Sequence, residues 1–105
     1  MNKNILVVAS HPDDEVIGCG GTIAKHVEKK DSVHLVFMSD GVTSRKSSLK
    51  NELKLRTNAA NLSASILGVT SVSYLKFPDN KMDSIPFLEI VQKLEAIIIN
   101  LKPSV

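Results

Sequence analysis

Tryptophan is absent from this sequence, and its aromatic side chains are three Phe and one Tyr in 105 residues. Any core it builds is therefore aliphatic, made of Ile, Leu, Val and Ala. The single cysteine, Cys19, excludes an intrachain disulfide and agrees with a reducing compartment. Long apolar runs are missing too. The N-terminal one, Ile5 to Ala9, holds about five residues, short of the roughly 7–15 of a signal-peptide core. The longest later run, Ala96 to Ile99, is far shorter than a membrane span. Nor is there a strong charge of one sign. The net charge of +2 does not point to nucleic acid or to a membrane surface. No internal repeat or low-complexity segment occurs. The expectation is a soluble, cytoplasmic protein with no nucleic-acid partner and no membrane span.

What remains has a normal globular balance, 43% hydrophobic and 23% charged, in a length that suits one domain. Ile5 to Ala9 reads as a strand buried on both faces, as in a parallel sheet. A helix follows from Asp13 or Asp14, with Ile17, Ile23, Ala24 and Val27 as its expected buried face. The small residues Gly18 to Gly21 are expected to let its start pack close to the sheet. Val33 to Met38 is the second strand, and Ser39 to Ser48 a polar loop. Leu49 to Leu67 is the second helix, its apolar positions Leu49, Leu53, Ala60, Ala64 and Leu67 at helical spacing, stopped by Gly68. Val72 to Phe77 is the third strand. A third helix follows, capped by Asp83 or Ser84, with Pro86 in its first turn. Its expected stripe is Phe87, Leu88, Val91, Leu94, Ile98 and Leu101, and Pro103 ends it. The alternation predicts an α/β fold: a Rossmann-like, doubly wound, mostly parallel sheet in three α/β/α layers. A fourth strand is expected to begin near Val105 and to lie beside the first. The chain thus reads as truncated after three β-α units.

Directly after the first strand comes Ser10-His11-Pro12-Asp13-Asp14-Glu15. Folding requires no such crowd of one imidazole and three carboxylates. In open α/β sheets ligands bind beyond the carboxyl ends of the strands, and each strand here ends in polar groups. These are His11, Asp13 and Asp14, then Asp40, Ser44 and Arg45, then Asp79. His11 and Asp14, three apart across a turn stiffened by Pro12, can point to one centre, and nitrogen with carboxylate oxygen suits Zn²⁺. Asp13 beside them is placed to take a proton from metal-bound water. Glu15 is expected in the first helical turn, favoured by the helix dipole. Each residue also has a plainer reading. Asp-Asp-Glu is good capping in its own right, and His11 alone is an ordinary loop residue. Cys19 reads as a small buried filler. Gly18, Gly20 and Gly21 lack the spacing of a dinucleotide fingerprint.

The run Ala9 to Glu15, followed by Gly18-Cys19-Gly20-Gly21-Thr22, resembles the start of the PIG-L/LmbE-like zinc-dependent N-deacetylases. Asp40-Gly41 is similar to that family's substrate loop, Arg56 with Leu67-Gly68-Val69 to its second-helix signature, and Phe77-Pro78-Asp79-Asn80 to its third-strand loop. The resemblance implies that His11 and Asp14 are metal ligands, for Zn²⁺ or another divalent ion, and that Asp13 is the general base. It implies that Arg56, Asp79 and Asp40 serve the substrate site. The substrate would be a small amino-sugar conjugate from which an N-acetyl group is hydrolysed, a linear amide bond. Arg56 can equally be a helix-surface charge or a salt-bridge partner of Asp79, and Asp40 a loop cap.

The family takes a third metal ligand, a histidine, from a segment after the fourth strand. Residues 1–105 would then be the N-terminal portion of a single deacetylase domain. His26, down the first helix, and His34, at the far end of the second strand, are not expected to replace it. A chain of this extent is expected to have at most a damaged metal site and little activity alone. Two alternatives stand beside this reading. One is an amidase acting on a sugar-thiol conjugate. The other is a non-catalytic Rossmann-like binding module, associating with a second copy through the exposed edge of its first strand.

Overall fold

The computed structural model describes residues 2–39 and 50–105, so the expectations placed on Asp40, Gly41, Ser44, Arg45 and Leu49 lie outside the described residues. The first apolar run forms β1 (Asn4–Ala9), followed by α1 (Asp14–Glu28), β2 (Ser32–Ser39), α2 (Lys50–Leu67), β3 (Ser71–Phe77), a 3₁₀ turn (Met82–Ser84) and α3 (Phe87–Leu101). The strands are parallel in the order β1-β2-β3, with Ile5 opposite Val33, Ala9 opposite Phe37, and Phe37 opposite Tyr74. Central β2 is buried on both faces: Val33, Leu35, Val36 and Phe37 are all covered. This is why its sequence is a continuous apolar run rather than an alternating one.

Two apolar layers flank the sheet. On one face Ile5, Ala9, Val33, Leu35 and Phe37 pack with Ile23 of α1 and with Ala60 and Ala64 of α2. On the other, Val36, Met38 and Phe77 meet Met82, Ile85, and Ile90, Leu94 and Ile97 of α3. Helices on both faces of a parallel sheet make the expected three-layer, doubly wound α/β arrangement. The chain leaving α3 returns to the open side of β1. There Ser104 N–H donates to Asn4 O and Leu6 N–H to Val105 O, each at 2.9 Å. That is the position expected for a fourth strand, and it covers part of the edge that sequence reasoning left exposed.

Three packing expectations are corrected. In α1 only Ile23 and Val27 of the expected face turn inward; Ala24 is exposed and Ile17 is 84% exposed. The cause is a break in the helix at Cys19, at φ −145° and ψ 26°, which rotates the first turns away from the register of the rest. The small residues there do not serve close approach to the sheet. Among the described residues, a side-chain carbon at Gly18 or Gly21 would meet nothing within 4 Å. In α3 the buried stripe is offset from the expected one. Ile90, Leu94 and Ile97 face the sheet, whereas Phe87, Leu88 and Ile98 are exposed, and the helix is capped at Pro86, not at Asp83 or Ser84 with Pro86 in its first turn.

Gly68 stops α2 as expected. Its φ is +81°, Gly68 N–H donates to Ser65 O at 3.2 Å and Val69 N–H to Ala64 O at 2.9 Å, the paired bonds of a Schellman motif. A side-chain carbon at Gly68 would stand 2.8 Å from Cγ1 of Val27, so α1 and α2 approach each other closely there.

Candidate active site

The loops at the carboxyl ends of β1 and β2 are joined by backbone. Ser39 N–H donates to Ser10 O at 2.7 Å and Ser39 Oγ to the same oxygen at 3.0 Å. This fixes where His11 begins. Pro12 is buried beneath the turn, and Asp14 N–H donates to His11 O at 3.3 Å.

The three carboxylates of the cluster have separate tasks. Glu15, only 4% exposed, accepts Asp13 N–H at 2.9 Å and Val16 N–H at 3.2 Å. It therefore does the capping that sequence reasoning allowed to the acidic run as a whole, satisfying amides at the positive end of α1. Asp13 is the residue before the helix, but its side chain caps nothing. Its backbone is held at φ 100°, a region that costs a non-glycine residue about 1–3 kcal/mol. The Glu15 bond grips the amide of that strained residue. The Asp13 carboxylate is then presented outward, 69% exposed, where Arg56 of α2 donates to Oδ2 at 3.1 Å.

The third carboxylate, Asp14, meets His11. Nδ1 of His11 lies 3.4 Å from Oδ2 of Asp14. That nitrogen is covered and makes no hydrogen bond among the described residues, although the ring as a whole is part-exposed. A covered nitrogen without a hydrogen bond beside a carboxylate oxygen is a pair of donor atoms that a cation would satisfy. The spacing agrees, because ligands about 2.1 Å from a tetrahedral ion stand about 3.4 Å from one another. The residues thus fit two positions of a zinc-type centre. Among the described residues no third His, Cys, Asp or Glu joins them. His26 is held by Asp31 at 2.8 Å and His34 by Ser71 Oγ at 2.6 Å. Both are engaged elsewhere, as expected.

Asp79, just beyond β3, is 5% exposed, so it is enclosed by protein. Arg56, expected at the substrate site, on the helix surface or beside Asp79, donates to Asp13, a partner that none of those readings named.

Beside the cluster lies a cleft of about 320 Å³ lined by Pro12, Ser39, Leu53, Thr57, Tyr74 and Lys76, within the range of small-ligand sites. Sequence reasoning missed Tyr74 and Lys76. Their signal was the polar alternation in Ser-Tyr-Leu-Lys-Phe, which read only as strand. The Tyr74 hydroxyl donates to Asn61 Oδ1 at 2.7 Å. Burial, and secondarily the charge of Glu15, pushes its pKa upward, which keeps it a neutral donor at pH 7.

Among the described residues no helix is long and apolar enough to cross a membrane. The chain is 31% identical over 108 residues to an uncharacterised deacetylase, YaiS, of Escherichia coli K12, a match covering 97% of this chain and 52% of that protein. Its fold superposes with TM-score 0.83 on an inhibitor-bound N,N′-diacetylchitobiose deacetylase from Pyrococcus horikoshii. That match is 32% identical and covers 96% of this chain and 38% of that one. It superposes with TM-score 0.81, at 27% identity, on GalB, the 4-carboxy-2-hydroxymuconate hydratase of Pseudomonas putida KT2440, covering 96% of this chain and 44% of that one. The chain thus spans about half the length of these relatives or less. The sequence profile described as PIG-L, GlcNAc-PI de-N-acetylase, matches residues 6–105, and with the strand-end cluster in place the chain belongs to the PIG-L family, whose relatives here include deacetylases.

Proposed function

We propose that this chain carries the N-terminal part of a metal-dependent deacetylase domain that hydrolyses the N-acetyl group of an N-acetylglucosamine-type sugar. The observation that carries this reading is the pairing of an unsatisfied His11 Nδ1 with Asp14 Oδ2, immediately beside an outward carboxylate, Asp13, held by Arg56. His11 and Asp14 would hold the ion together with a further protein donor. A divalent ion held there would supply Lewis acidity for the acyl oxygen and for the attacking water. Asp13 removes the proton of the attacking water as its oxygen bonds to the acyl carbon. The same carboxyl returns that proton to the nitrogen as the C–N bond breaks, giving acetate and the free amine. Arg56 keeps the Asp13 carboxylate oriented through both transfers. The cleft from Pro12 to Lys76 would seat the sugar.

The likeness to GalB favours one second reading, in which the same base activates water for addition to a carbon–carbon double bond. Zinc-dependent acetate release tests the first reading. N,N′-diacetylchitobiose or N-acetylglucosamine is incubated with Zn²⁺ and a complete deacetylase domain of the family into which residues 1–105 of this sequence are placed, so that the further donor is present, and acetate and new amine are quantified. Equal amounts of the two products, lost in Asp13→Asn, are expected. Water addition to an enoate substrate without acetate release from either sugar would replace the deacetylase reading with the hydratase one.

A further inference from the structure

Among the described residues, the non-glycine positions with positive φ are Asp13, Lys30, Lys76, Asn80 and Lys102. Lys30 and Lys102 follow the ends of α1 and α3, and Asn80 lies in the turn after β3, all common places for the left-handed conformation. Asp13 belongs to the candidate site. Lys76 differs from all of these: its φ of 61° falls inside a strand.

The register explains how. Phe37 is opposite Tyr74, but Ser39 is opposite Phe77, so β3 carries one residue more than β2 between these pairs. This is a β-bulge, and its left-handed position is normally given to glycine. A lysine there opposes the local steric preference. Nothing in the packing demands its side chain, which is exposed, while the neighbouring Phe77 fills the layer under α3. Strain retained without a packing reason clusters at functional positions, and the bulge sets Lys76 in the wall of the cleft, with Tyr74, Pro12 and Ser39.

The other polar groups of that wall are in part committed. The Ser39 hydroxyl donates to Ser10 O and the Tyr74 hydroxyl to Asn61. Among the described residues the Lys76 ammonium has no ion pair and no hydrogen bond. It is a compact, strongly hydrated charge with three donors, suited to a phosphate or a carboxylate.

We propose that Lys76 is a specificity-determining residue that receives a negatively charged substituent of the sugar, a phosphate or a carboxylate, in the cleft beside Pro12. This rests on the sugar-deacetylase reading for the identity of the ligand, but the anion site itself is testable without it.

Amide chemical shifts of the ¹⁵N-labelled chain are followed during titration with inorganic phosphate, with acetate, with N-acetylglucosamine and with N-acetylglucosamine 6-phosphate. The wild type is expected to show phosphate- or acetate-dependent shifts centred on Tyr74 to Phe77. Whichever anion acts more strongly identifies the preferred group. The phosphorylated sugar is expected to bind about tenfold more tightly than the neutral one, a difference of about 1.4 kcal/mol. Lys76→Gly is expected to abolish both effects while raising the thermal midpoint, because it relieves the left-handed backbone. Lys76→Arg is expected to keep the anion preference. If neither anion moves these amides, or Lys76→Gly retains the preference, the proposal is overturned, whether or not the neutral sugar binds. A lowered midpoint in Lys76→Gly would make the lysine a structural residue and would equally overturn it. Anion shifts at the bulge with no binding of either sugar would uphold the site and count against the sugar reading.

Discussion

Arg56, on α2, donates from its guanidinium to Oδ2 of Asp13 at 3.1 Å, linking the middle helix to the turn that follows β1. Asp13 is largely exposed, so this pair contributes about 0–1 kcal/mol to stability. Its consequence is orientation. A carboxylate that must take and return one proton at a fixed acyl centre loses rate when its direction is lost.

In a complete domain that supplies the further metal donor, Arg56→Ala is therefore expected to lower kcat by about 10–100-fold, while the unfolding free energy changes by less than about 1 kcal/mol. Arg56→Lys is expected to recover part of the rate. Steady-state acetate release with varied substrate separates this role from direct sugar binding, which would raise KM and leave kcat unchanged. Asp13→Asn is expected to lower kcat by about 10²–10⁴-fold with the fold intact.

Glu15 stands behind this arrangement. It is a buried carboxylate whose Oε1 accepts two backbone amides, those of Asp13 and Val16. Bonds to a charged acceptor of this kind are worth about 1.5–3 kcal/mol. Glu15→Ala is expected to lower stability by about 2–3 kcal/mol in urea unfolding. It should also reduce activity, because the φ 100° backbone of Asp13 loses its clamp. Glu15→Gln keeps an acceptor oxygen and is expected to cost less on both measures.

How far such detail was legible in the sequence depends on its physical origin. The strands and helices were readable because burial on both faces makes β2 a continuous apolar run and because the Gly68 stop has its own local chemistry. The His11–Asp14 contact was readable because the two residues are three apart, a local relationship. The Arg56–Asp13 bond joins residues 43 apart in sequence, and nothing local fixes which of several carboxylates a helix-borne arginine will meet. The bulge at Lys76 depends on how β3 registers against β2, which neither strand encodes alone. Ile17 was misplaced because the periodicity was carried through Cys19, where the helix breaks.

At the opposite end of α2, Gly68 combines a left-handed backbone with a neighbour 2.8 Å from the position of an added carbon. Gly68→Ala is expected to lower the unfolding free energy by about 1–2 kcal/mol for the backbone alone, with a further loss from collision with Val27. Val27→Ala in the same chain should recover the collision but not the backbone cost. A double-mutant cycle measured by chemical denaturation would therefore show a favourable coupling between the two. Strict additivity would mean that α1 and α2 do not touch at this point.

The link between α1 and β2 supplies a pH-dependent element away from the site. The Asp31 carboxylate accepts from His26 Nδ1 at 2.8 Å and from Lys3 N–H at 2.9 Å. The His26 bond first, and the Lys3 amide next, hold its pKa below the ordinary carboxylate value. The unfolded chain therefore takes up this proton at a higher pH than the folded one. Asp31 then contributes stability that is fully present above its unfolded pKa of about 3.9 and is lost as pH falls through the lower folded value. Urea unfolding at a series of pH values from about 5 down to about 2 is expected to show a decline in stability, shallower in Asp31→Asn than in the wild type. At neutral pH the Asp31→Asn variant should be the less stable of the two. Parallel acid limbs would mean that the His26–Asp31–Lys3 contacts carry no net charge dependence.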